Sequence, residues 1–477
     1  MNNVLKKPVI AVLFALSALL LVPLAASAEI SVSGQTGSNW MSYYNDSTYL
    51  SQLTIPGTHE SASADGAVSA VPDEAQCQDE NISQQLTDGT RYFDFRCENQ
   101  GHGLPDALAM YHGTFYEGSF LDSCLASIYS FLAAHPTETV LVSFLETGTS
   151  TGNAFADDIS DYMQQNIGYW YFGNTCPTLG QVRGKIVLFN RYGQQTNGQY
   201  PGIDCLGWQD NNASFNADSV HYMGGPNVYV QDEYEPPFQV IQTTDESEKW
   251  TPFENQILAA WGDNNMNNFY FNNLSLAWRV GDTYTIQDFA SALDSELESY
   301  CTGSYSPHRY GVIYVDWSNS TIASDIYKLN NGPFTYDTSA KFVNKNSGLV
   351  LNGSLDKANG TPVTQYDWAN ASQEEWTIYP LGGALYAIGN DYSNNYLDIA
   401  GGSTSNGSTV DTYAYEGSIN QKFYIQADSD NAGCWDIISL LDGKVIEVGG
   451  NSTANDAAVD QWTWVGHPSQ CWGIEAP

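Results

Sequence analysis

Apolar residues fall along the chain in two different rhythms. From about residue 50 to 320, short runs rich in β-branched and aromatic residues recur: Leu53–Ile55, Tyr92–Phe95, Ala109–Tyr111, Val140–Leu145, Ile186–Phe189, Val228–Val230, Phe269–Phe271 and Val312–Val315. Several are apolar at consecutive positions, as expected of strands buried on both faces. Polar stretches separate them, and Leu121–Ala134, Ala154–Asn166, Pro252–Ala260 and Ile286–Tyr300 read as helices. Strands alternating with helices in this way predict an α/β fold, a β/α barrel. A doubly wound sheet is the alternative, but no glycine-rich phosphate loop follows the first strand.

After the turn-forming run Asn330-Asn331-Gly332-Pro333, which reads as a linker, the rhythm changes. Val363-Thr364-Gln365-Tyr366, Val410-Asp411-Thr412-Tyr413 and Val459-Asp460-Gln461-Trp462 recur at spacings of 47 and 49 residues. Leu351-Asn352, Leu397-Asp398 and Ile446-Glu447 recur with them, and each repeat closes on an aromatic residue, Trp376, Phe423 or Trp472. Three short-strand repeats of this length predict a threefold all-β unit.

The leader and the charge narrow the function. Lys6 and Lys7, the apolar run Val9 to Val22 and Ala26-Ser27-Ala28 have the layout of a secretory signal peptide over residues 1–28. The apolar run is shorter than the ~20 residues a span needs, so the expectation is a secreted, extracellular chain without a transmembrane anchor. The formal charge of −38, from 54 acids against 16 Lys and Arg, excludes a nucleic-acid binder that works by neutralising phosphates. Eight cysteines, an even number in an exported chain, favour disulfides. Cys434 and Cys471 stand alone in the last segment and are expected to pair; the pairing of the other six stays open. No CxxC pair occurs, which argues against zinc or redox chemistry.

Polar residues follow the barrel runs. His59-Glu60 follows the first, Asp94-Phe95-Arg96 ends the second and His112-Gly113 the third. Arg191 follows the fifth, Asp232-Glu233-Tyr234 the sixth and Asp316 the eighth. In a β/α barrel the carboxyl ends of the strands share one mouth, so two His, two Arg and several carboxylates would converge. That set suits acid–base cleavage of a phosphodiester. One imidazole takes a proton from the nucleophilic hydroxyl, the other gives one to the leaving alkoxide, and a guanidinium binds the phosphoryl oxygens. An unrelated hydrolase remains the alternative.

Residues 38 to about 320 resemble the bacterial phosphatidylinositol-specific phospholipases C of the X-domain type. The resemblance is carried by Ile55-Pro56-Gly57-Thr58-His59-Glu60-Ser61, Phe93-Asp94-Phe95-Arg96, His112-Gly113, His135-Pro136-Thr137-Glu138, Gly184 to Arg191, Val230 to Tyr234, and Asp316. It implies a distorted TIM barrel that cleaves phosphatidylinositol in membranes or micelles to diacylglycerol and inositol 1,2-cyclic phosphate, with no cofactor and no metal. By motif it makes His59 the general base, His112 the general acid and Arg96 the phosphate ligand. Asp316 would pair with His59, Glu60 with His112, and Asp94 would support Arg96. Arg191, Asp232 and Tyr234 would hold the inositol ring, and the Trp208–Asp210 loop has no assigned role. Two departures stand out: Glu60 replaces the family's Asp, and Leu145 or Glu146 replaces a Lys that contacts inositol. A weak or inactive barrel, or another glycerophospholipid headgroup, stays open on that account.

Residues 340–477 resemble ricin-type β-trefoil lectins, with Gln470-Cys471-Trp472 intact, Gln421-Lys422-Phe423 degraded, and Gln373 three residues before Trp376. This implies a trefoil that binds surface glycans through Asn352, Asp398 and Glu447, or one in which these residues only hold turns. The expected division is residues 1–28 as leader, 29–335 as catalytic barrel and 340–477 as trefoil.

Overall fold

The computed structural model describes residues 34–65, 75–148, 152–218, 225–235, 242–277, 284–303, 308–334, 337–428, 431 and 433–477. The leader lies outside the described residues. The first region contains β1 (Ile55–Thr58), α1 (Ile82–Asp88), β2 (Tyr92–Asn99), β3 (Leu108–His112), β4 (Phe115–Phe120), α2 (Leu121–Ala134), β5 (Val140–Glu146) and α3 (Ala154–Gln165). There follow β6 (Trp170–Tyr171), α4 (Leu179–Val182), β7 (Ile186–Asn190), β8 (Ile203–Asp204), β9 (Phe215–Asn216), β10 (Asn227–Gln231), α5 (Gln242–Gly262), β11 (Asn268–Asn273), α6 (Ile286–Gly303), β12 (Val312–Val315) and α7 (Ser320–Lys328).

The sheet runs β6-β7-β5-β2-β1-β12-β11-β10-β9, parallel throughout except at β9. Among the described residues no pairing joins β6 to β9, so the α/β region is a curled, distorted barrel left open on one side. Alternation sorts the side chains. Tyr92, Leu141, Val187, Phe271 and Tyr314 fill the interior, while Phe93, Phe95, Val142 and Phe144 face the outer core with Leu125 and Ile128 of α2. Gly57 is required by close packing: a Cβ there would lie 2.7 Å from the Tyr92 ring and 2.9 Å from Tyr314 Cβ.

One expected barrel strand is not one. The run Ala109–Tyr111 lies in β3, which pairs antiparallel with β2 and with β4. It is the middle arm of a meander, so His112 reaches the mouth from a hairpin turn, not from a parallel strand end. A run of consecutive apolar residues reads alike in either direction. The expected helix from Pro252 begins a full ten residues earlier, with Pro252 inside α5.

The second region is a thirteen-stranded antiparallel β structure from Thr338 to Glu475. The repeats are visible in its core, where Leu351, Leu397 and Ile446 pack with Trp376, Phe423 and Trp472. The Trp376 and Trp472 indoles donate to the carbonyls of Leu351 and Ile446, each at 3.0 Å. Cys434 and Cys471 form the expected disulfide; among the described residues Cys77, Cys97, Cys124, Cys176, Cys205 and Cys301 form no disulfide, contrary to the expectation of wider pairing.

The trefoil docks on the amino-terminal floor of the barrel. Lys422 Nζ donates to Gln52 Oε1 (3.0 Å) just before β1, and the Gly383 amide donates to Asn330 Oδ1 (3.3 Å) just after α7. His308, ahead of β12, stacks on Tyr424 with ring centres 4.3 Å apart. Met266, ahead of β11, completes an apolar seam with Leu381, Leu385 and Leu440. The buried Arg91–Glu138 pair (2.8 Å) places the His135–Glu138 motif at the amino ends of β2 and β5, away from the mouth. No described helix is long and apolar enough to cross a membrane.

Candidate active site

At the carboxyl ends of the strands β1, β2 and β12 bring His59, Arg96 and Asp316 together. His59 Nδ1 lies 2.8 Å from Asp316 Oδ1, and Arg96 Nη2 lies 2.7 Å from His59 Nε2. A guanidinium only donates, so Nε2 accepts and the imidazole proton sits on Nδ1, directed at Asp316. Burial, with Arg96 next in effect, holds His59 below its ordinary pKa and keeps the ring neutral. The chain turns sharply after each of two of these groups. Glu60 and Trp317 take left-handed φ values of 44° and 47°, conformations that non-glycine residues adopt only where the surroundings enforce them.

His112 stands opposite, its ring centre 6.4 Å from that of His59 and nearly perpendicular to it. Its Nδ1–H donates to the Ala75 carbonyl at 2.7 Å, which leaves Nε2 as the nitrogen facing the cavity. Glu60 is more closely tied to Arg96 than to His112: its Oε1 lies 2.9 Å from Arg96 Nη1 and 3.9 Å from His112 Nε2. The longer side chain thus spans both groups, and burial pushes its carboxyl up against the opposing pull of Arg96.

Asp94 ties the two arginines of the mouth together. It accepts from Arg96 Nε (3.2 Å), Arg191 Nη1 (3.0 Å) and Ser143 Oγ (3.2 Å). Arg191 in turn lies over the Trp208 ring at 4.1 Å, and its Nε is buried without a hydrogen-bond partner among the described residues. Trp208 Nε1 donates to Asp232 Oδ2 and Asn273 Nδ2 to Asp232 Oδ1, both at 2.8 Å. Tyr234 lines the cavity, and its hydroxyl bonds Asp210, so the Trp208–Asp210 loop braces both Asp232 and Tyr234. Leu145 shares the inner face with Ser143, two residues earlier, and Glu146 points the other way.

The resulting cavity, about 200 Å³, is bounded by His59, Arg96, His112, Tyr234, Ser275 and Cys77. Two of the groups here escape the sequence reading. Cys77 belongs to no spacing motif. Lys249 sits in the acidic stretch Asp245-Glu246-Ser247-Glu248, where a lysine reads as a solvated helix charge. It is fully buried instead, donating to Gln231 Oε1 (3.1 Å) and the Glu233 carbonyl (2.5 Å) behind Asp232, and burial brings its pKa down to about 7.

In the trefoil the three expected sugar ligands differ. Asp398 accepts two contacts from Asn420 Nδ2, at 3.0 and 2.9 Å, and burial with nearby Asp411 raises its pKa to about 7. Glu447 accepts from Gln470 Nε2 at 2.8 Å. Asn352 accepts from the Ser354 amide at 3.1 Å and closes a turn. Gln421 and Gln470 accept from the amides of Glu416 and Val465, which holds their loops. In the first repeat that work is done by Glu374, which accepts from the Ala369 amide, not by Gln373.

Comparison with known proteins follows this division. The family model of the phosphatidylinositol-specific phospholipase C X domain matches residues 53–192, and that of the ricin-type beta-trefoil lectin domain-like family matches 328–413 and 419–477. A 1-phosphatidylinositol phosphodiesterase of Staphylococcus aureus (strain NCTC 8325 / PS 47) is 30% identical over 306 residues, covering 62% of this chain and 88% of the relative. One from Listeria monocytogenes serovar 1/2a is 28% identical over 305 residues, covering 62% and 86%. A solved structure of the Staphylococcus aureus phosphatidylinositol-specific phospholipase C superposes with a TM-score of 0.53 at 27% identity, over 62% of this chain and 98% of that one.

Proposed function

Since the chain belongs to the bacterial phosphatidylinositol-specific phospholipase C family of the X-domain type, with a C-terminal ricin-type trefoil, we propose that it cleaves phosphatidylinositol to diacylglycerol and inositol 1,2-cyclic phosphate by paired-histidine catalysis. The observation that carries this reading is the His59–Arg96–His112 arrangement: two imidazoles face one cavity with a guanidinium bound to the first.

The inositol 2-hydroxyl takes the place of Arg96 at His59 Nε2 and gives up its proton there. The freed guanidinium binds a phosphoryl oxygen. The 2-oxygen bonds to phosphorus, the bond from phosphorus to the glycerol oxygen breaks, and His112 Nε2–H protonates the leaving alkoxide. Asp316 holds the Nδ1 proton and stabilises the imidazolium that forms. Arg191 Nε, Asp232 and Tyr234 bind the ring. Arg96 supplies in place the positive charge that a metal would otherwise bring, so a chelator leaves turnover unchanged.

The headgroup favoured is inositol without ring phosphates, because Leu145 faces the mouth where the family carries a lysine and, among the described residues, the guanidinium groups there, Arg96 and Arg191, are already held by Glu60 and Asp94. We assign residues 29–335 to catalysis and 340–477 to the trefoil, and read the chain as secreted through its 1–28 leader. The trefoil binds surface glycans, with Asp398 and Asn420 as its best-formed acceptor–donor pair. Phosphorus NMR of a phosphatidylinositol micelle digest tests the chemistry. An inositol 1,2-cyclic phosphate resonance is the expected result, and inositol 1-phosphate as the first product, or no product, contradicts it.

A further inference from the structure

Cys77 lies at the back of the cavity and takes no part in the reaction sequence. Its Sγ, a His59 ring nitrogen and an Asp316 carboxylate oxygen all lie within 4.8 Å of one another, and the three side chains are buried. The same thiol stands 3.9 Å from His112 Nδ1. Thiolate, imidazole and carboxylate are the donors that borderline-soft divalent ions select, whereas Ca²⁺ and Mg²⁺ prefer oxygen alone. A tetrahedral zinc with bonds of about 2.0–2.3 Å sets its ligands roughly 3.3–3.6 Å apart. The observed triangle meets that spacing if the thiol closes in and the 2.8 Å His59–Asp316 contact opens by about half an ångström. The adjoining cavity leaves a fourth position for water.

We propose that His59, Cys77 and Asp316 form an inhibitory zinc site inside the catalytic mouth. Protons account for the inhibition. On binding, the Cys77 thiol loses its proton to solvent. The His59 proton moves from Nδ1, which now ligates the metal, to Nε2. That nitrogen is the one that accepts the inositol hydroxyl proton in the reading above, so a zinc-loaded site has no base. Arg96, which donates to Nε2 in the free site, must also withdraw, because two N–H groups would face each other. Zinc and substrate therefore exclude one another. The metal site itself needs only the three ligands; its inhibitory effect rests on His59 being the base.

The test uses the full mature chain, freed of metal with a chelator that is then removed. Cobalt(II) titration reads the site directly: a thiolate-to-cobalt charge-transfer band at one ion per chain is expected. Zinc titration in weak buffer is expected to release one proton per ion. Zinc, but not Ca²⁺ or Mg²⁺, then stops phosphatidylinositol cleavage, and EDTA restores it. In Cys77→Ser the cobalt band disappears and the zinc concentration for half-inhibition, relative to that variant's own zinc-free rate, rises at least tenfold. A wild-type protein without a thiolate–cobalt band, or a Cys77→Ser variant with unchanged zinc response, overturns the site. Zinc bound with its thiolate signature but with undiminished turnover keeps the site and overturns both the inhibition and the role of His59 as base.

Discussion

In the barrel mouth three acidic side chains lie against bases, Asp316 against His59, Glu60 and Asp94 against Arg96, and Asp94 again against Arg191, while Asp232 meets Trp208 and Asn273. In the trefoil, the comparably buried acids meet amides and one another: Asp398 receives Asn420, Glu447 receives Gln470, and Asp411 and Asp460 flank them. The first arrangement fixes charge in a low-dielectric site, where paired groups can trade protons with a bound phosphodiester. The second leaves carboxylates with unspent accepting capacity, which suits hydroxyl-rich ligands and makes the region sensitive to mild pH. A surplus of acid over base is thus one composition put to two uses, and only the placement of the few cations separates them.

The largest expected effect breaks the mouth alone. His59→Ala and His112→Ala each lower turnover on phosphatidylinositol by about 10²–10⁴-fold, while thermal melts and glycan retention stay near the parent values. Wild-type turnover in both variants would erase the contrast. The trefoil counterpart is covalent. Replacing Cys434 and Cys471 by Ser removes a cross-link of 37 residues' separation and lowers stability by about 3–4 kcal/mol on chain-entropy grounds, read from denaturant midpoints.

Opposite pH responses sharpen the comparison further. Lys249 is held near pKa 7 by burial, well below its usual 10.5. The unfolded chain therefore binds the extra proton between those values, and barrel stability rises as pH climbs from about 7 toward 10. Lys249→Met removes that rise from the melting curve. Asp398 is shifted the other way, up to about 7 from 3.8. The folded trefoil binds the extra proton there, so its contribution is complete below pH ~4 and is lost as pH rises through 7. Asp398→Asn flattens that decline, and a decline of equal depth in the variant would remove Asp398 as its source. The smallest effect concerns specificity. Leu145→Lys restores an inward cation, and the rate ratio of phosphatidylinositol 4-phosphate to phosphatidylinositol in mixed micelles is expected to rise by a few-fold.

Much of the mouth was legible because barrel strands are short, consecutive and apolar, and their ends are marked by polar residues that have no packing reason to be there. Asp94-Phe95-Arg96 shows this well: the outward Phe95 and the inward Asp94 and Arg96 follow from alternation alone. What escaped did so for physical reasons. The β3 arm has the same residue pattern as a parallel strand, and only its partner distinguishes it. Lys249 looks solvated among four polar or acidic neighbours until α5 is packed against β10. Cys77 joins the site only through the fold, since its neighbours His59 and Asp316 are 18 and 239 residues away. In the trefoil the repeat was plain, but in its first copy Glu374, two residues before Trp376, stands where the other copies carry Gln and accepts the same kind of amide bond, so the neighbouring Gln373 misled the reading.

The docking of the trefoil on the barrel floor has a spatial consequence. Gln52, Met266, His308 and Asn330 mark the face by which the trefoil is attached, and His59, Arg96 and Asp316 open on the far face. Under the glycan-binding proposal, a surface held by the trefoil engages the chain through the unit that caps the floor, while the lipid headgroup enters from the opposite end of the barrel.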